Sequence, residues 1–93
     1  MTGCKPFYFT FGLDFPLSSF VQRVDAVSED EARRGMFRFY ADKWAFCYHG
    51  GSCFESDDGS EVAVGGRTYK RIAKIIVVDE CSGEIYSSGG LAA

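Results

Sequence analysis

Hydrophobic and polar positions alternate strictly near the start of the chain. In Phe7-Tyr8-Phe9-Thr10-Phe11 the three phenylalanines point one way and Tyr8 and Thr10 the other, which predicts a strand with an aromatic buried face. Gly12 and Pro16 mark a loop. Residues 19–26 read as a second strand, with Phe20, Gln22, Val24 and Ala26 on one face and Arg23 and Asp25 on the other. The period then changes. Ser28 is placed to accept from the Glu31 backbone N–H, Glu31 to return the bond, and Glu29, Asp30 and Glu31 suit the positive end of a helix dipole. These signals predict a helix over 29–41, with Ala32, Met36, Phe39 and Tyr40 as its apolar stripe and Arg33, Arg34 and Arg38 outside it. Gly35 costs about 1 kcal/mol against alanine in a helix interior, so it predicts close packing there.

Alternation returns at Trp44, Phe46 and Tyr48, a third strand ended by His49-Gly50-Gly51-Ser52. Residues 49–61 are polar, acidic and glycine-rich and read as an exposed loop. Gly65-Gly66, between Val62-Ala63-Val64 and Arg67-Thr68-Tyr69, is the signature of a tight hairpin. Its second arm is expected to continue through Ile72 to Val78. Arg67, Lys70, Arg71 and Lys74 also fit one face of a helix, and the β-branched run from Ile75 to Val78 tips the balance to strands. Asp79 to Gly83 form a turn, Glu84-Ile85-Tyr86 a closing strand, and residues 88–93 a frayed tail. The expected fold is therefore α+β, a single domain over 1–93. It is an antiparallel sheet with one helix on one face, in the order β-β-α-β followed by C-terminal hairpins. The Phe7/Phe9/Phe11, Trp44/Phe46/Tyr48 and Met36/Phe39 faces would meet in its core.

Composition makes such a small core plausible. Aromatic residues are 16% of the 93 positions, and each fully buried Phe contributes roughly 1.5–3 kcal/mol. The net charge of −3 lacks the basic excess usual for phosphate binding. With no apolar leader segment, and with Ile75–Val78 as the longest strongly apolar run, a cytoplasmic location is expected. Cys4, Cys47, Cys53 and Cys81 are then expected to be reduced thiols.

Candidate chemistry is thin. Cys47, His49, Cys53 and Cys81 offer zinc-ligand types, but without a paired Cys-x-x-Cys knuckle. Cys47 and His49 would share a strand face, yet nothing supplies an orienting third group or an oxyanion site. Neither Gly65-Gly66-Arg67 nor Gly50-Gly51-Ser52 fits a phosphate loop. Binding rather than catalysis is therefore expected, with no cofactor and no metal. Acids gather at Glu55, Asp57, Asp58 and Glu61, and again at Asp79 and Glu80. These are the candidate partner-binding residues, either as solvated charge or as a mimic of nucleic-acid phosphates docking in a basic groove. The other reading is a small nucleic-acid-binding regulator, using Arg33, Arg34 and Arg38 with Arg67, Lys70, Arg71 and Lys74. Exposed strand edges would also support a dimer.

Over residues 8–48, about half of a domain this small, the sequence also resembles a group of small proteins encoded by bacteriophages and prophages. The resemblance rests on Tyr8-Phe9-Thr10-Phe11-Gly12, Ser28-Glu29-Asp30-Glu31-Ala32-Arg33, Met36-Phe37 and Lys43-Trp44-Ala45-Phe46 before Tyr48. From His49 onward the chain departs from the short forms of that pattern. The resemblance implies a phage accessory protein in the cytoplasm of an infected bacterium. Such proteins often inhibit host defence, anti-CRISPR proteins among them, so the implied partner is a bacterial defence protein such as a Cas effector subunit. It carries over no catalytic residue, and it points to the added segment 49–90 for the specific binding surface.

Overall fold

The computed structural model describes residues 5–11, 19–49, 53–79 and 82–88. Strands β1 (Lys5–Thr10) and β2 (Phe20–Ala26) precede helix α1 (Glu29–Tyr40). Six strands follow: β3 (Phe46–His49), β4 (Cys53–Glu55), β5 (Glu61–Val64), β6 (Arg67–Arg71), β7 (Ile75–Val78) and β8 (Ile85–Ser88). The protein is α+β, with one helix among the described residues and a mixed sheet of eight strands. Expectation and structure differ first in the make-up of the sheet. The segment read as a loop contains the short strand β4, and the sheet is not wholly antiparallel, because β2 runs parallel to both β6 and β7.

Helix α1 starts where its cap places it, with the Ser28 hydroxyl accepting from Glu31 N at 3.3 Å. The Glu31 carboxylate pairs with Arg34 rather than returning to Ser28. Ala32, Gly35 and Met36 are buried against the sheet. A Cβ built on Gly35 would meet Val78 Cγ2 at 3.0 Å, Ile76 Cγ2 at 3.1 Å and Val24 Cγ1 at 3.3 Å. The missing side chain is thus what lets the helix approach β2 and β7, and its propensity cost is offset by packing. Phe39, expected in the core, is 44% exposed, and in the last helical turn it is Tyr40 that packs against the core.

The core on the helix side joins Phe7, Phe9, Phe11, Val24, Ala26, Ala32, Met36, Ile76 and Val78. Trp44 meets Phe9 edge-on with centroids 4.9 Å apart. It does so from outside β3, which starts only at Phe46. The expected Trp44/Phe46/Tyr48 face is accordingly out of phase. Cys47 lies opposite Phe9 and His49 opposite Phe7, so these two face the helix side, while Phe46 and Tyr48 face away beside Thr10 and Tyr8.

The expected long arm after the Gly65-Gly66 turn stops at Arg71. Val21 O still accepts from Ile72 N at 2.9 Å. The chain then peels away, and the buried Gln22 side chain donates to Lys74 O at 2.7 Å while accepting from Tyr40 OH at 2.8 Å. Beyond this break β7 resumes beside Val24 and Asp25. Both glycines of the turn have positive φ, 56° and 88°, as a two-residue hairpin requires.

Six strands follow the order β3-β1-β2-β6-β5-β4. The outer two, β3 and β4, are consecutive in the chain. Four peptide steps join His49 to Cys53 and span at most roughly 14 Å, whereas the outer pair of six flat strands would stand about 24 Å apart. The sheet must therefore curl, and the β4–β5–β6 ribbon closes over the face away from α1. Tyr8, Val21, Val62 and Val64 form a second apolar cluster inside the curl, with Tyr48, Cys53 and Tyr69 packed against it.

Candidate functional site

The ribbon β4–β6 presents two faces. Register places Cys53 beside Val64 and Arg67, and Glu55 beside Val62 and Tyr69, on the inner face; Phe54, Ala63 and Thr68 form a row on the outer face, with Glu61 opposite Lys70 next to it. Phe54 is 64% exposed on the strand that ends the six-strand path.

The candidate acids fall into different environments. Glu55 turns inward, where it accepts from Tyr8 OH and, at 2.9 Å, from Arg23 Nη1. Arg23 Nε donates in turn to Asp25 at 2.8 Å. Burial, then the bond to Glu55, pushes the Tyr8 hydroxyl above its ordinary pKa. Burial opposes the charge on Arg23, but Asp25 and Glu55 outweigh it and hold the guanidinium more firmly protonated than usual. Glu55 is therefore a tie across the curl, not a free surface charge. Asp58 organises its own loop, accepting from Ser60 N at 3.0 Å, Ser60 Oγ at 2.7 Å and Ser56 Oγ at 2.9 Å. Those bonds, the backbone one first, hold its carboxyl at about 2. Asp57 and Glu61 are exposed. Asp79 follows β7 past the far end of β2, so the structure does not bring it to this group, and Glu80 lies outside the described residues.

Among the described residues the cysteine and histidine candidates do not assemble a reactive site. Cys47 packs against the helix-side core and Cys53 against the inner cluster; Cys4 and Cys81 lie outside the described residues. Burial, then Glu29, pushes the Cys47 thiol up to about 11, which leaves it a poor nucleophile at neutral pH. His49 is exposed, its ring 5.2 Å from that of Phe7 and its Nε2 3.8 Å from a Glu29 oxygen. Among the described residues no group of three or more His, Cys, Asp or Glu is placed to hold a metal ion.

The basic residues are dispersed as well. Arg33 pairs with Glu29, and its guanidinium lies 5.6 Å over the Trp44 ring. Arg34 pairs with Glu31. Arg71 is buried, and its Nε donates to Gly59 O at 2.6 Å.

One further feature is a cleft that no local motif announces. Where the curl opens between β3 and the β5–β6 turn, a cleft of about 320 Å³ is lined by Thr10, Phe46, Tyr48, Val64, Arg67 and Tyr69, among others. The outward phase of Phe46 and Tyr48, against a hairpin ending in Arg67 and Tyr69, is the signal that could have found it.

No known protein family matches the chain, and no curated protein or solved structure shows significant similarity to it. No helix among the described residues is long and apolar enough to cross a membrane.

Proposed function

We propose that the chain is a phage accessory protein that inhibits a bacterial defence system by stoichiometric binding to one of its protein subunits, in the manner of an anti-CRISPR protein. The observation that supports this most is the outer face of the β4–β6 ribbon. Phe54 projects from an edge strand with Asp57 and Glu61 near it. An aromatic anchor rimmed by polar groups is the composition of an interface hot spot, and the free carboxylates would steer it toward a basic, nucleic-acid-binding groove. The edge of β4 adds backbone groups that a partner strand could pair. Glu55 and Asp58 serve this surface indirectly, by holding the ribbon and its loop in place. Asp79, whose backbone N–H donates to Glu84 O at the β7–β8 turn, is apart from this surface, and Glu80 lies outside the described residues.

The nucleic-acid-binding alternative finds less support, because Arg33, Arg34 and Arg71 are already engaged.

The test is expression in bacteria whose CRISPR–Cas system targets a plated phage. Restored plaquing is expected. It should be lost in a folded Phe54→Ala/Asp57→Lys/Glu61→Lys variant and kept on reversal of Asp79 and Glu80. Failure to restore plaquing across the CRISPR types would end the inhibitor reading.

A further inference from the structure

We infer that the cleft between β3 and the β5–β6 turn binds a single nucleotide, its base against the aromatic wall and its phosphate on Arg67. The inference is independent of the ribbon's outer face, since the cleft opens on the inner side of the curl.

Three observations carry it. First, the walls are aromatic: Phe46 and Tyr48 stand with ring centroids 6.3 Å apart, and Tyr69 faces the same space from the hairpin. Phe46 is 62% exposed, although its cross-strand partner Thr10 is buried. Aromatic faces open to solvent are the usual platform for stacking a base. Second, the polar ends around the cleft are uncommitted among the described residues. The hydroxyls of Tyr48 and Tyr69 and the Arg67 guanidinium hold no hydrogen bond or ion pair to another described residue. Deeper in the same curl, by contrast, Tyr8 and Arg23 are both engaged by Glu55. Hydroxyls both donate and accept, so they suit the mixed edge of a base, while a guanidinium suits phosphate. Third, the size fits. A volume of about 320 Å³ is at the low end for small-molecule sites, enough for one nucleotide and too small for a strand. One arginine on a chain of net charge −3 likewise implies local recognition rather than attraction of a polyanion.

The test is an NMR titration of the whole chain with AMP, adenosine, inorganic phosphate, N-acetylphenylalanine and a 5′-phosphorylated tetranucleotide. AMP should shift the amides of Thr10, Phe46, Tyr48, Arg67 and Tyr69 saturably below about 10 mM. Adenosine should bind more weakly, and phosphate alone should not saturate. Arg67→Ala should weaken AMP by about three- to fivefold and leave adenosine unchanged. Phe46→Ala, at an exposed position, should weaken both while the amide spectrum stays that of a folded protein. Equal binding of AMP and the tetranucleotide would place recognition in the terminal nucleotide, and preference for AMP in the free one; both support the site. No saturable shift, shifts centred elsewhere, an Arg67→Ala variant with unaltered AMP affinity, or tighter binding of N-acetylphenylalanine than of AMP would each overturn it.

Discussion

On the face covered by α1, Phe9, Met36, Val24 and Ile76 interlock, and the buried Gln22 has its amide nitrogen and oxygen both engaged, while the Trp44 indole nitrogen is buried without a partner among the described residues. On the other face four buried residues make a smaller apolar cluster, and the curl is tied by Tyr8, Glu55, Arg23 and Asp25. The first face is stabilised mainly by apolar area, the second by area together with directional contacts between strands that are not sheet neighbours. Hydrophobic burial tolerates small shifts, whereas a charged tie fixes where the ribbon sits. That difference suits a molecule whose closing ribbon carries the candidate surfaces.

Truncation on the helix side should have the largest effect. Phe9→Ala removes a fully buried ring and is expected to cost about 3–5 kcal/mol, read as a fall in the urea midpoint. A cost no greater than that of Val62→Ala in the inner cluster would erase the contrast between the faces. Glu55→Gln comes next. It keeps an acceptor for Tyr8 and leaves Arg23 with Asp25 alone, at an expected cost of about 1–3 kcal/mol. Its sharper readout is faster amide exchange in β4 and β5 with β1 to β2 unchanged; uniform loosening of the whole sheet would show that the tie is not local.

The smallest effect concerns Cys47, and it is seen through pH. Its thiol has a folded pKa of about 11, above the ordinary 9. Its contribution is therefore whole below about pH 9 and is lost as pH rises through 11, a loss below about 1 kcal/mol once partial exposure is counted. Cys47→Ala should flatten this part of the stability profile and leave the Tyr8-linked decline, which starts above its ordinary pKa of about 10. An unchanged profile would mean that the thiol is no drier when folded than when unfolded.

Local signals carried much of this architecture. Ser28, the Phe7/Phe9/Phe11 alternation, Gly35 and Gly65-Gly66 each specify their element through backbone geometry or period, and each sits where that reading puts it. The curl was not legible. It depends on β2 pairing with residues about fifty positions later, and a three-residue strand within a polar stretch shows no period. Glu55 looked like a surface acid for the same reason. Its inward turn is set by one step of alternation from Phe54, in a strand too short to display it. The cleft followed from the phase of β3, which the bulk of Trp44 disguised.

The forked edge of β2 has a consequence for how the polypeptide reaches this state. Its middle strand meets β1 early in synthesis, but its other side stays open until Lys70 and Arg71, and then Ile76 and Val77, have been made. Two distant segments must then land on one strand in the correct sequence, and closing such long loops is entropically slow. Until they do, a nascent or truncated chain exposes Val21 and Val24 on an unpaired rim, the kind of rim on which chains aggregate.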